Sequence, residues 1–118
     1  MKKLFVTCIM LVATVCFVTA QQRPTGTPEE RAKRETDRLT ELLKLNADQK
    51  TKIQAIELDL NKQMEKRRQN AQNTDYRALR EEFNKLRDEK YKPVLTADQF
   101  KKYQTDRTER QQQRQRNN

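Results

Sequence analysis

From residue 21 onward the chain holds 14 Leu, Ile, Val and Phe residues in 98 positions, and this shortage constrains the fold more than any other feature. Sequences so poor in apolar side chains and so rich in charge often stay disordered, because burial cannot offset the entropy of folding. The single glycine, Gly26, and only three prolines argue against the many tight turns of a sheet or sandwich. Lys, Arg, Glu, Gln and Leu, which dominate, are residues that helices tolerate. The choice is helix or disorder, and the spacing of the apolar residues decides it.

The first 20 residues stand apart. Lys2 and Lys3 precede the uncharged run from Leu4 to Ala20, and Val18 and Ala20 are the small residues a signal peptidase takes before Gln21. This pattern predicts a secretory signal peptide over residues 1–20. A run diluted by three threonines is short for a membrane anchor, and Thr7 and Val15, ahead of Cys8 and Cys16, do not suit lipoprotein processing. The remainder is expected to be exported, without stable membrane insertion. Both cysteines leave with the signal and the chain has no histidine, so neither a disulfide nor a zinc or soft-metal site is expected, and no cofactor is implied. The exported part carries a formal charge of +7.

The apolar residues do recur at helical spacing. Residues 21–26 read as a flexible leader, and Thr27, Pro28 and Glu30 form a capping box with proline at the first helical position. Behind it, Ala32, Leu39, Leu42 and Leu43 share one face of a first helix. Asn46 and Gln49 open a second helix, with Ile53, Ile56, Leu60, Met64 and Ala71 in a continuous stripe ending near residues 70–73. Asn73 or Thr74 is expected to cap a third helix with Tyr76, Leu79, Phe83 and Leu86 inside, stopped by Pro93. Thr96 and Gln99 open the fourth, where Leu95 can staple onto Phe100. Beyond residue 106 the apolar face is exhausted, so residues 107–118, basic and Gln-rich, are expected to be disordered, and 27–106 form the helical domain. Acidic residues fall at i, i+4 from basic ones, as in Glu29/Lys33, Asp48/Lys52, Glu81/Lys85, Asp88/Lys92 and Asp106/Arg110, which reads as own-helix pairing. The expected fold class is all-α, a thin four-helix hairpin-like protomer that completes its core as a dimer.

Two of these starts are near-repeats fifty residues apart: L-N-A-D-Q at 45–49 and L-T-A-D-Q at 95–99. On Leu95, Thr96 and Gln99, and on Leu45, Asn46 and Gln49 with Asn in place of Thr, the chain resembles the Spy/CpxP family of small periplasmic proteins, whose hallmark is a twice-occurring L-T-x-x-Q motif. The resemblance implies a helical protomer that dimerises into a curved cradle, and an ATP-independent chaperone or envelope-stress role. The His-based metal sites of some members have no counterpart here.

The candidate partner surface joins Lys62, Lys66, Arg67 and Arg68 near Met64 to Arg77, Arg80 and Arg87 near Phe83, long cations beside a few apolar groups that could hold unfolded or partly folded envelope proteins loosely. The spaced apolar residues themselves read first as core, and the motif residues first as helix caps. A regulator docking on the periplasmic sensor domain of an envelope-stress kinase is the alternative. Nucleic-acid binding, suggested by the charge and the Arg/Gln tail, is disfavoured by export and by the absence of a recognised module. An enzyme is not expected, since the exported part offers no His, no Cys and no Gly-rich loop.

Overall fold

The computed structural model describes residues 26–70 and 75–117. The expected signal over 1–20, nearly all of the leader, Ala71 and the expected caps Asn73 and Thr74 lie outside these residues. Four α-helices follow in order: α1 Pro28–Leu43, α2 Ala47–Gln69, α3 Tyr76–Tyr91 and α4 Ala97–Arg116, with no strand among the described residues.

Three of the four starts are closed by the capping boxes that the sequence predicts. The side-chain oxygens of Thr27, Asn46 and Thr96 accept from the backbone N–H of Glu30, Gln49 and Gln99, whose side chains accept in turn from the cap N–H groups. Two orphan donors are satisfied at each helix start. The exception is α3, where Asp75 is the cap and accepts from the N–H groups of Arg77 and Ala78. Between α1 and α2, Lys44 turns the chain in the left-handed region at φ 54°. This conformation costs a residue with a Cβ roughly 1 kcal/mol or more, and it ends α1 two residues before Leu45.

The helices run alternately up and down. Cross-helix pairs fix the directions: Arg31 with Glu65 and Asp37 with Lys50 set α2 antiparallel to α1, and Arg67 with Glu82 and Glu57 with Arg87 set α3 antiparallel to α2. Arg38 with Asp106 and Glu35 with Arg110 lay α4 back along α1. The α1–α2 and α3–α4 turns therefore meet at one end, called here the motif end, and the α2–α3 connection lies at the other.

The core is split in two. At the motif end, Leu39, Leu43, Ile53, Tyr91, Leu95 and Tyr103 are buried together, with Leu42, Leu45, Val94 and Phe100 packed around them. Tyr91 and Tyr103 meet with ring centroids 5.0 Å apart in a tilted pair, a favoured aromatic arrangement. Toward the other end, Leu60, Leu79 and Phe83 form a smaller cluster flanked by Met64 and Leu86, and Ile56 bridges the two. Among the described residues Tyr76 is the one exposed large hydrophobic side chain. Most of the stripe for which a second protomer was expected is thus covered within one chain. Tyr76 itself leaves the α3 stripe because it sits at the first helical position, ahead of the turn that packs.

The C-terminal segment differs from expectation. Residues 107–116, expected to be disordered, continue α4 to Arg116. Cross-helix ion pairs rather than apolar burial tie the start of this segment to the bundle: Arg107 reaches Asp88 on α3 and Arg110 reaches Glu35 on α1.

Candidate functional site

At the motif end the two near-repeats face each other. The Gln49 side-chain amide donates to Gln99 Oε1 at 2.7 Å and to the Val94 carbonyl at 3.1 Å. The Gln99 amide donates to Gln49 Oε1 at 3.2 Å and to the Leu43 carbonyl at 3.1 Å. Each glutamine thus closes its own capping box and clasps the other turn, an arrangement with local two-fold character. The sequence predicts the capping role of Asn46, Gln49, Thr96 and Gln99. It does not predict that both amide protons of each glutamine are spent on joining the hairpins, because nothing within one motif points to the other.

Between the two apolar clusters lies a buried polar group. Glu57 is 1% exposed, and its carboxylate accepts from Arg87 Nε at 2.5 Å, Arg87 Nη2 at 3.3 Å and the Tyr91 hydroxyl at 2.5 Å. Asn61 donates to the Glu57 carbonyl at 2.7 Å, and Arg87 donates a further bond to Asn84. A buried charge is tolerated only with this degree of pairing. Burial works against the charge on Arg87, but Glu57 outweighs it and holds the guanidinium above its ordinary range. Burial, and then the negative Glu57, push the Tyr91 hydroxyl well up. The signal for this group was in the sequence: Glu57 interrupts the inward row Ile53, Leu60 and Met64, and Arg87 sits between Phe83 and Tyr91 at four-residue steps.

Arg87 therefore leaves the candidate partner surface. Its side chain is 19% exposed and held by Glu57, because the row that carries Phe83 inward carries Arg87 with it. Met64 is half-buried against the smaller cluster. The other candidates stay outside, though several are matched by acids: Lys62 pairs with Glu29 at 3.1 Å, Arg67 with Glu82 at 3.2 Å and Arg77 with Glu81 at 3.9 Å. Lys66, Arg68 and Arg80 make no ion pair among the described residues, and Tyr76 on α3 is exposed. The far end of the α2–α3 hairpin is thus cationic with one accessible aromatic ring.

The expected own-helix pairs are replaced in several places by longer reaches. Asp48 pairs with Lys52 as expected. Asp88 instead takes Arg107 and the Tyr103 hydroxyl, Asp106 takes Arg38 and Glu29 takes Lys62. Arg38 also clamps Glu35 at 2.8 Å. Burial would raise the Glu35 carboxyl, but Arg38, Arg110 and Arg87 together hold it below its ordinary value.

Among the described residues no helix is long and apolar enough to cross a membrane, and no group of three or more acidic side chains could hold a metal ion. The grooves along α4 are shallow and open, one lined by Lys101, Gln104, Thr108 and Gln112, the other by Leu42, Lys102, Asp106 and Glu109. Neither is enclosed in the manner of a small-molecule pocket.

A family model described as a domain of unknown function (DUF4890) matches residues 19–103. The chain belongs to this family. The match takes in α1, α2, α3 and the first two turns of α4, hence both near-repeats and the Glu57 network, and stops before the Arg-rich extension of α4. No curated protein and no solved structure matches the chain.

Proposed function

We propose that the protein is an ATP-independent chaperone of the periplasm, which holds unfolded polypeptides loosely on the outer face of the α2–α3 hairpin. The observation that carries this reading is the far end of that hairpin, where Lys66, Arg68 and Arg80 make no ion pair among the described residues, Tyr76 is exposed and Met64 is half-buried against the smaller apolar cluster. Long cations supply attraction without fixed geometry, and an accessible aromatic ring supplies adaptable apolar contact. Two protomers would pair through the seam between α1 and α4, where half-buried Leu42 and Phe100 remain, extending the surface available to one client.

The purified protein at stoichiometric excess should suppress aggregation of a chemically unfolded client without nucleotide. Tyr76→Ser combined with Lys66→Gln should weaken suppression, with unchanged helicity. Absence of suppression by the wild type at excess defeats the proposal.

A further inference from the structure

The two apolar clusters differ in how many helices build them. The motif-end cluster draws on all four: Leu39 and Leu43 from α1, Ile53 from α2, Tyr91 from α3 and Tyr103 from α4. Among the described residues the smaller cluster is made by α2 and α3 alone, with Ile56, Leu60 and Met64 on one side and Leu79, Phe83 and Leu86 on the other. The α2 side is backed by α1, which holds the same stretch through Arg31 with Glu65 and Glu29 with Lys62. The first half of α3 is tied across, beside the cluster, by an exposed pair in which Arg67 Nη1 and Nη2 donate to Glu82 at 3.2 and 3.3 Å.

The start of α3 is also the least closed of the four. The other helices open on capping boxes, whereas Asp75 caps α3 alone, because Ala78 at the third position has no polar side chain to return to the Asp75 N–H. No acid lies in the first turn, and Arg77 and Arg80 set positive charge against the positive end of the helix dipole. At the other end of this half, Arg87 is anchored to buried Glu57, so the lightly held stretch ends at Leu86. Local opening begins where apolar burial is small and a helix end is free to fray.

We propose that residues 76–86 come away from α2 as one unit and uncover a docking surface for an apolar polypeptide segment flanked by acidic residues. The uncovered floor is the α2 row Ile56, Leu60 and Met64, kept in place by α1, and the freed Leu79 and Phe83 provide a second wall. Charge selects the occupant. Arg68 stands one turn beyond Met64 in the same row, and its Nε is shielded from solvent with no acceptor among the described residues. Arg80, without an ion pair among the described residues, stands three positions before Phe83. An acidic neighbour in the occupant gives these cations partners, whereas a basic one adds to the excess. The surface deepens the polypeptide-holding reading, on which it rests: the apolar part of the holding face stays covered until α3 lifts.

Amide exchange of the purified protein tests the opening. Residues 79–86 should exchange together, with protection about tenfold or more below that of Leu39, Leu43 and Ile53. Ala78→Gln, which supplies the missing half of the capping box without a charge change, should slow this exchange about two- to fivefold. Glu82→Gln, which frees Arg67, should speed it by about the same factor. The binding probe is a labelled synthetic peptide with leucines at helical spacing between aspartate flanks. Lysine flanks, or serine for leucine, should each weaken its binding about tenfold or more. Because only the open state binds, its affinity should fall in Ala78→Gln and rise in Glu82→Gln by the factors seen in exchange. Glu89→Gln, an equal charge change outside the unit, should shift neither. Exchange of 79–86 only with global unfolding overturns the inference, as does an affinity that does not follow exchange or equal binding of the lysine-flanked peptide. Opening and peptide binding without suppression of aggregation defeats the holding reading alone, and suppression without opening defeats the docking surface alone.

Discussion

Replacing Gln99 by Ala tests whether the near-repeats act as one joint between the hairpins. The change removes the donation to the Leu43 carbonyl at 3.1 Å, both bonds shared with Gln49 at 2.7 and 3.2 Å, and the acceptor for the Thr96 N–H at 3.0 Å. At about 1 kcal/mol net per hydrogen bond, discounted for partial exposure, the loss is about 2–3 kcal/mol. Gln49→Ala removes the mirror set, with the Val94 carbonyl in place of Leu43 and the Asn46 N–H in place of Thr96. The two shared bonds are lost in either single variant, so the double variant should cost about 1–2 kcal/mol less than the two singles added together. Urea unfolding with an unchanged m-value measures all four corners of the cycle. Additivity within about 0.5 kcal/mol would mean that each glutamine serves its own cap alone, and the account of the joint would be refuted.

Three further outcomes follow from the interior charges. Arg87→Met leaves Glu57 buried without its main partner and should destabilise the fold by about 3–5 kcal/mol, while Glu57→Leu added to it should recover much of the loss; urea midpoints for both variants check this, and a single variant within about 1 kcal/mol of wild type would contradict it. Glu35, Asp37 and Glu65 have carboxyls held below their ordinary values, Glu35 by arginines that overcome its burial, Asp37 chiefly by Lys33 and Glu65 chiefly by Arg31. Groups depressed in the folded state stabilise fully above their unfolded values, 4.5 for Glu and 3.8 for Asp, and lose that contribution as pH falls through the lower folded values. The melting temperature should thus be level from neutral pH down to about 5 and fall steadily below about 4, and a level profile at acid pH would refute the pairing. Finally, amide exchange should be slowed across residues 107–112, and Arg107→Gln should abolish that protection by freeing α4 from Asp88; exchange at random-coil rates in the wild type would contradict the ordered extension.

How much of this was legible depended on whether the governing interaction was local. The capping boxes at Thr27, Asn46 and Thr96 are set by residues three apart, so the sequence displays them whole. The inward rows are visible where they are apolar, as at Leu39 and Leu43 or Leu79 and Phe83, since periodicity registers side chains that avoid water. Periodicity fails at Glu57 and Arg87, which occupy inward positions but look like solvated charges until their partner on another helix is known. The same blindness explains the C-terminal segment. Own-helix pairing assigned Asp88 to Lys92 and Asp106 to Arg110, which left residues 107–116 with nothing to hold them.

In the fold those acids face other helices, and the arginines of the extension supply the cations. A chain with 14 Leu, Ile, Val and Phe residues after position 20 reaches its fourth helix by charge pairing as well as by burial. That solution has a built-in asymmetry. Carboxylates occupy the seam from the motif end as far as Glu65, while arginines continue on α2, α3 and α4 past the last of them. The surplus at Arg68, Arg80 and Arg114 follows from the same rows that order α4, because Arg114 is one turn beyond Arg110 on the face that holds Glu35. Stability should therefore vary along α4: losing Arg107 or Arg110 loosens the helix, whereas losing Arg114, which makes no ion pair among the described residues, leaves the urea midpoint unchanged.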